Sequence, residues 1–423
     1  MHLYRRYWAF YWPLALTACF LLLGLQVFNA VLARYPNAER ELAVFAYAIS
    51  FIHFLEVAMA FMPQMVMVYA RSRKARRRVL RFCLSTGVLF SAFACFLGVT
   101  ALGQQWIAAA YGIEGDILAE VSRYLVYLFP TILLRTLFHY FAGLLTQNDQ
   151  TRLVSVCAFV GVGLGVVVCL YGYREAWPAY LTLVSAQLSA SAGMLICAML
   201  AYSQFYIPER EQGFTEPRYL DLFRYFWPVS FTGMTFGLGR PLIYAFVSRT
   251  PDALITIAAL RVGLDFFMIS QMALNQFRSL LPSLGLENLR EKRRFIAFLT
   301  VVFSLVMASL IFTPLDQVVF KQWLGLSDML YLHVKQTLTV VLLTPAILAV
   351  RNYYHGLLLV YKQTKGIAVG SAFRITTVLL CCWLFLMLGW LNSWTAPLVM
   401  VLSFSIETLV VVFITQRAAK AIQ

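Results

Sequence analysis

Long apolar runs, separated by short polar or basic segments, recur along the whole of the 423-residue chain. Each run stays apolar for about twenty residues, the length at which a helix crosses a hydrocarbon layer of roughly 30 Å. Strands of a membrane barrel would instead alternate apolar and polar residues over about ten positions. The pattern predicts an all-α polytopic membrane protein with about twelve transmembrane helices, near 12–33, 41–70, 82–103, 120–146, 153–172, 179–203, 225–248, 254–285, 296–314, 334–360, 367–390 and 395–416.

Basic residues cluster between the apolar runs and account for the net charge of +15. The densest cluster, RSRKARRRVLR at 71–81, is predicted to be a short loop between the second and third spans. Lys and Arg are enriched in the cytoplasmic loops of membrane proteins, so this loop and both termini are predicted to be cytoplasmic. Charge distributed in this way indicates membrane topology and contact with the lipid bilayer, and no nucleic-acid partner.

The two halves of the chain are repeats of each other. A shift of 215 positions aligns YWPLALTACFLLLGLQVFNAVLAR (11–34) with FWPVSFTGMTFGLGRPLIYAFVSR (226–249), and a shift of 216 aligns Arg135 with Arg351. Transporters built from parallel repeats commonly bind their substrate between the halves. We therefore predict two pseudo-symmetric six-helix bundles, 1–203 and 225–423, joined by a cytoplasmic linker at 204–224.

Ionisable side chains inside the predicted spans carry an excess of positive charge. Each such charge costs at least roughly 2.5–3.5 kcal/mol at the centre of a helix. A substrate with several negative charges would compensate the excess, and the forked guanidinium group suits phosphate and carboxylate groups. The sequence therefore predicts an arginine-lined central cavity for a small anionic substrate. The embedded arginines are Arg135, Arg240, Arg261, Arg278, Arg351 and Arg374, and the embedded acids are Glu56, Asp265 and Glu407.

Structural explanations stand beside the functional ones for several of these side chains. Arg261 and Asp265 are four residues apart on one predicted helix, so an ion pair between them is the first expectation. Arg278 and Arg374 lie nearer the cytoplasmic ends of their spans, where arginines either reach the interface or bind substrate. The last group has a role either in proton or cation coupling or in ion pairs and hydrogen bonds: Glu407, Glu56, His139 and His355.

Arg240 interrupts the seventh predicted span and is followed at once by Pro241. Proline removes a backbone hydrogen bond, so Gly239 and Pro241 are expected to open the helix locally. The freed region would present Arg240 to an anion. The alternative is that Arg240 only pairs with Glu56 or Glu407.

Enzymatic chemistry finds little support in the sequence. There is no glycine-rich phosphate loop, no spacing of His, Cys and Asp typical of a metal site, and no polar segment long enough to form a nucleotide-binding domain. The cysteines lie within predicted spans and are expected to be packing residues. We expect a transporter without cofactor or metal that runs on gradients, and that acts as a monomer.

Several motifs resemble the progressive ankylosis protein family, most specifically RPLIYAFVSR at 240–249. The others are YWPL, FWPV, FRSLLPSL (277–284), VRNYYHGLLLVYKQTK (350–365), the SAFR that ends at Arg374, and IET (406–408). That family belongs with the flippase-like transporters that include the multidrug and toxin extrusion proteins. The resemblance runs along nearly the whole chain and is strongest in the second half.

The resemblance implies two six-helix bundles forming a V and export of small polyanions such as pyrophosphate, ATP or citrate-like carboxylates. It also implies that five side chains are functional positions of the family: Arg240, Arg278, Arg351, Arg374 and Glu407. The chain ends at Gln423 without the long acidic tail of the animal members, so it resembles a compact prokaryotic relative in a bacterial inner membrane.

The leading prediction is thus a secondary exporter of small polyanions that works by alternating access. A lipid-linked oligosaccharide flippase is the second, because its pyrophosphate head group would also suit a basic cavity. A cation-coupled multidrug exporter would need an acidic cavity, against the excess of arginine. A scaffold protein in which all arginines are internally paired is the non-transport alternative.

Overall fold

The structure, a computed structural model, describes residues 2–148, 150–207, 216–361 and 364–422. All regular elements in these ranges are helical, as predicted. Helices satisfy their own backbone hydrogen bonds, which a hydrocarbon environment cannot do for them. Each of the predicted spans coincides with one helix or with two consecutive helices.

The first half of the repeat contains eight helices among its described residues. They are α1 (His2–Leu32), α2 (Ala38–Met59), α3 (Met62–Tyr69), α4 (Arg73–Val99), α5 (Ala101–Tyr111), α6 (Gly115–Gln147), α7 (Thr151–Arg174) and α8 (Ala179–Phe205). The second half contains α9 (Tyr219–Gly237), α10 (Gly239–Val247), α11 (Ala253–Asn275), α12 (Phe277–Leu284), α13 (Leu289–Phe312), the π-helical segment Gln317–Trp323, α14 (Asp328–Val341), α15 (Thr344–Val360), α16 (Thr364–Met387) and α17 (Thr395–Ile422).

Nine helical segments in the described ranges are long and apolar enough to cross a membrane, and there are ten if the bent pair α14–α15 forms one span. In that count α2 and α3 make one segment, Ala38–Tyr69. The predicted spans 12–33 and 225–248 fall on α1 and on α9–α10, several of whose side chains lie outside what the structure describes. The chain is a multi-pass membrane protein.

Four of the predicted spans are built from two consecutive helices. The axes of α14 and α15 differ by 41°. Pro345, in the first turn of α15, has no N–H to donate to the preceding turn, which explains this break. The seventh span is interrupted at Leu238, beside Gly239 and Pro241, where the sequence predicted an opening.

The basic segment 71–81 is not the short loop that the sequence predicted, because α4 already begins at Arg73. Ser72 caps this helix: its Oγ accepts a hydrogen bond from the N–H of Ala75 at 3.1 Å. Arginine and lysine are good helix formers, so the chain continues as a helix beyond the apolar run. The sequence located the charge correctly and assigned it the wrong local structure.

Helix α9 begins at Tyr219, within the predicted linker 204–224. Residues 208–215 lie outside the described ranges. The end of the linker is tied to the basic segment, since Arg78 pairs with Glu216 at 3.0 Å and donates to the Pro217 carbonyl at 3.1 Å. Part of the positive charge of segment 71–81 therefore binds residues 216 and 217 of the linker.

Contacts divide the chain into two compact units whose boundaries differ from those of the repeat. The N-unit is Val44–Pro241, and the C-unit is Met1–Ala43 with Leu242–Gln423. Helix α1 packs against α11 and α12 in the C-unit, and α9 packs against α3 and α4 in the N-unit. Each half of the repeat therefore contributes its first helix to the unit of the other half. The sequence halves, 1–203 and 225–423, stay a prediction about the repeat.

A buried acid organises the start of the π-helical segment in the C-unit. The Asp316 carboxylate accepts hydrogen bonds from the Gln317 N–H at 2.6 Å, the Tyr331 hydroxyl at 2.5 Å and Lys335 Nζ at 2.5 Å. Burial acts to raise the pKa of Asp316, but these hydrogen bonds outweigh it and hold the pKa below its usual value.

We expect Asp316→Asn to lower the free energy of unfolding by about 1–3 kcal/mol at pH 7, because the amide cannot replace a charged acceptor. A carboxyl whose pKa is lower in the folded state stabilises above its unfolded pKa, about 3.9, and loses this effect as pH falls through its folded pKa. The difference in melting temperature between wild type and variant should therefore shrink below about pH 4. A difference that is equal at pH 7 and pH 3 would contradict this origin.

Candidate functional site

Arg135 and Glu56 form an ion pair in the N-unit. Arg135 lies in the middle of α6 and Glu56 near the end of α2. Arg135 Nη1 donates to Glu56 Oε2 at 2.5 Å, and the two side chains are 23% and 10% exposed. A charged side chain inside a membrane is costly unless it is paired, so the carboxylate on α2 and the guanidinium on α6 neutralise each other.

Neutral side chains satisfy the rest of the Arg135 guanidinium. Nη2 donates to Gln187 Oε1 at 2.9 Å and Nε donates to Ser191 Oγ at 3.1 Å, both on α8. Thr131, one turn before Arg135, donates to Glu56 at 3.4 Å. Each of the three guanidinium nitrogens therefore has an acceptor, and the charge of the pair is balanced. His139, one turn beyond Arg135, has its ring against Phe138.

A second cluster in the C-unit is built around Glu407, in the middle of α17. Its carboxylate lies 3.3 Å from Arg351 Nη1, 3.6 Å from Arg374 Nε and 3.9 Å from His355 Nε2. Arg351 and His355 are on α15 and Arg374 is on α16. The Arg351 and Glu407 side chains are only 3% and 1% exposed. Here one acid faces two arginines, so the cluster carries a net positive charge.

Polar and aromatic side chains hold these arginines in place. Arg351 Nη2 donates to Asn275 Oδ1 at 3.1 Å, and Asn352 donates to the same oxygen at 3.1 Å. The Phe404 ring, one turn before Glu407, lies 5.1 Å from Arg351 Cζ and 5.6 Å from Arg374 Cζ. An aromatic ring attracts guanidinium groups electrostatically, which favours the position of both arginines beside Phe404.

Two glycines bring the backbones of this region close together. A Cβ on Gly370 of α16 would lie 2.7 Å from Val411 and 3.4 Å from Glu407 Cγ, so glycine lets α16 approach α17 beside the acid. A Cβ on Gly356 of α15 would lie 3.1 Å from the Arg278 carbonyl oxygen. Arg278 itself, in the first turn of α12, is exposed, and its charge interacts with that of Arg351.

The repeat places equivalent arginines in the two clusters but different acids. Ser191 is 216 positions before Glu407, the offset that relates Arg135 to Arg351. Gln271 is 215 positions after Glu56. The N-unit thus has its acid on α2 and a serine on α8, whereas the C-unit has a glutamine on α11 and its acid on α17.

The Arg261–Asp265 ion pair expected from the sequence is confirmed. Arg261 Nη2 lies 4.0 Å from Asp265 Oδ2, and both side chains are 6% exposed. Asn29 of α1 completes the pair: it accepts from Arg261 Nε at 3.0 Å and donates to Asp265 at 3.1 Å. These residues form a neutral structural network separate from the Glu407 cluster.

Arg240 lies in the first turn of α10 and is half-buried. Glu56, one of its two expected partners, pairs with Arg135, and Glu407 faces Arg351 and Arg374. Arg240 therefore belongs to neither of the two described acid clusters.

The structure brings three of the predicted site residues together around Glu407, namely Arg351, His355 and Arg374. Three others lie in the N-unit: Arg135, Glu56 and His139. Sequence reasoning missed the neutral partners. Thr131 and Phe404 carried a signal in their spacing, since each lies one helical turn before an embedded charged residue. The missed residues are Thr131, Gln187, Ser191, Asn275, Asn352 and Phe404, together with Asn29 in the separate pair.

A family model described as progressive ankylosis protein (ANKH) matches residues 2–294. The match includes the whole first half, where the resemblance was expected to be weaker, and ends shortly after α12. Arg135, Arg240 and Arg278 lie within it. The motifs around Arg351 and Glu407 lie beyond it.

Solved transporter structures share the fold. The lipid II flippase MurJ in an inward closed conformation has a TM-score of 0.72 at 15% identity, covering 96% of this chain and 87% of that one. An inward-facing multidrug resistance MATE family transporter of the MOP superfamily has a TM-score of 0.70 at 13% identity, covering 96% and 98%. The eukaryotic MATE transporter AtDTX14 has 0.65 at 11% identity, covering 98% of both chains.

Proposed function

We propose that this chain, which belongs to the progressive ankylosis protein family and has the fold of the MOP superfamily transporters, is a secondary exporter of small polyanions. Pyrophosphate, nucleotides such as ATP, and citrate-like carboxylates are the proposed substrates. Transport proceeds by alternating access. Arg351, Arg374, Arg278 and Arg240 are the proposed substrate-binding residues.

The observation that carries the proposal is the excess of arginine around Glu407. Two buried guanidinium groups share one carboxylate, and the exposed Arg278 adds a third positive charge nearby. Uncompensated charge inside a membrane is expensive and marks substrate or ion pathways. A ligand with two or more negative charges would neutralise this cluster, whereas a cationic drug would be repelled by it.

Arg135 has a different place in this proposal from the one the sequence indicated. Its guanidinium is balanced by Glu56 and satisfied by neutral acceptors, which supports a role in holding the N-unit together. The basic segments support the placement of both termini in the cytoplasm, and the proposed location is a bacterial inner membrane. We further propose a monomer without cofactor and without catalytic activity.

Transport should be measured in proteoliposomes loaded with radiolabelled pyrophosphate, ATP or citrate. We expect the wild type to release at least one of them, and Arg278→Gln to slow release about tenfold, because a hydrogen bond to a charged group contributes about 1.5–3 kcal/mol. Arg81→Gln is the matched control, since Arg81 is also an exposed arginine near a helix start. Its release rate should equal that of the wild type.

Failure of the wild type to release any of these anions would overturn the proposed substrate class. Equal loss of transport in Arg278→Gln and Arg81→Gln would show that general positive charge matters, and not the cluster around Glu407.

A lipid-linked oligosaccharide flippase is the second candidate. The pyrophosphate head group of such a lipid has the same chemistry that suits the Glu407 cluster, and a lipid flippase shares the fold. This candidate predicts that a short-chain lipid pyrophosphate blocks release of the soluble anions at lower concentration than pyrophosphate itself does.

A further inference from the structure

The Glu407 carboxylate is shared among three cationic or polar groups and lies at hydrogen-bond contact with at most one. The distances to Arg351, Arg374 and His355 are 3.3, 3.6 and 3.9 Å. Ion-paired hydrogen bonds between a guanidinium and a carboxylate are normally about 2.7–2.9 Å long. By contrast, Arg135 and Glu56 in the N-unit are 2.5 Å apart. The Glu407 carboxylate is therefore the more loosely held of the two acids.

Buried side-chain nitrogens in the same cluster have no hydrogen-bond partner. Arg351 Nε and both ring nitrogens of His355 are buried without one. Leaving a buried polar group unsatisfied costs about 1–3 kcal/mol, so such groups commonly mark a place for a ligand, water or ion. In the N-unit all three nitrogens of Arg135 have acceptors. The C-unit cluster therefore has nitrogens available to an additional acceptor, whereas every guanidinium nitrogen of Arg135 is already bonded.

We propose that Glu407 occupies the position of one anionic group of the substrate, and that a phosphate or carboxylate of the substrate displaces it from Arg351 and Arg374. The inference rests on the proposed function and adds a mechanism to it. A terminal phosphate group has three acceptor oxygens where a carboxylate has two, so it can serve Arg351 Nε or His355 in addition to the arginine nitrogens that already face Glu407.

Displacement by exchange avoids a costly intermediate. Two arginines without any anion between them would be buried cations in a membrane, which is strongly unfavourable. With Glu407 on an adjacent helix, the carboxylate returns to the arginines when the substrate leaves. The N-unit needs no such exchange, because its arginine is already matched one to one.

The test is Glu407→Gln, which removes the competing charge and preserves the size of the side chain. Glu287→Gln is the control, since Glu287 is an exposed acid of the same unit. Pyrophosphate and citrate binding to the purified full-length protein would be measured by titration calorimetry. We expect Glu407→Gln to bind pyrophosphate at least about tenfold more tightly than wild type and to release it more slowly from proteoliposomes. Glu287→Gln should match the wild type in both.

Equal or weaker pyrophosphate binding by Glu407→Gln, in a protein whose wild type transports the anion, would overturn the exchange and leave the proposed function standing. Absence of both binding and transport in the wild type would remove the proposed function instead. If Glu407→Gln does not fold, 4-fluorophenylalanine at position 404 provides the measurement in an otherwise wild-type chain. Its fluorine resonance should shift when pyrophosphate moves the two arginines against the ring, and a resonance unchanged at saturation would contradict the exchange.

Discussion

Glu56→Gln is expected to lower the free energy of unfolding by about 3 kcal/mol, because it leaves the largely buried Arg135 without its counter-charge. Gln187, Ser191 and Thr131 cannot supply that charge. The measurement is chemical denaturation of the purified protein in detergent, compared with wild type at the same pH.

The repeat offers a way to restore the lost stability. Adding Ser191→Glu to Glu56→Gln places the acid at the position that Glu407 has in the other half, and Ser191 already accepts from Arg135. We expect this double variant to recover at least about half of the loss, with overpacking limiting the rest. Glu56→Gln with Ser191→Gln is the matched control, which has the size and lacks the charge. Equal recovery by both doubles would show that packing, and not charge, is restored.

Arg261→Met is expected to lower the free energy of unfolding by about 3–5 kcal/mol, because it removes the buried counter-charge of Asp265 and the donor to Asn29 Oδ1. The pair is 6% exposed on both sides, so water cannot compensate it. Thermal unfolding monitored by circular dichroism in detergent would report the loss.

Replacing the whole network should cost much less than breaking it. The triple variant Asn29→Leu, Arg261→Met, Asp265→Leu removes both charges and the amide that bridges them, and apolar replacements of buried ion pairs are often neutral or stabilising. We expect the triple variant to melt within a few degrees of wild type. A triple variant as unstable as Arg261→Met would show that shape, and not electrostatic balance, determines stability here.

Much of the fold could be predicted because the bilayer imposes one strong condition. A segment of about twenty apolar residues must be a helix, so the spans around Arg135 and Glu407 were identifiable from hydropathy alone. The division of spans into consecutive helices was foreseeable only where proline or glycine marks it, as at Pro345 and Gly239. Basic segments resembled loops because hydropathy reports membrane depth and not local structure, and α4 begins within one.

The site could be predicted only as a set of charges. Hydropathy shows that Arg351 and Glu407 share a depth, but 56 residues separate them and no local pattern joins them. Pairing followed from sequence only for Arg261 and Asp265, which helix periodicity brings together. Equivalence in the repeat indicated similar roles for Arg135 and Arg351. It could not show that their acids come from different helices.

The membership of α1 in the C-unit has a consequence for biogenesis. Helix α1 leaves the ribosome well before its packing partner α11, which begins only at Ala253, roughly 220 residues later. At about 5–20 residues per second, this interval is on the order of ten to forty seconds. Throughout it, Asn29 faces the membrane or the insertion machinery without the Arg261 and Asp265 that later satisfy it. Most helices of the N-unit have no such delay, whereas α1 reaches its packed position only after α11 and α12 have been inserted.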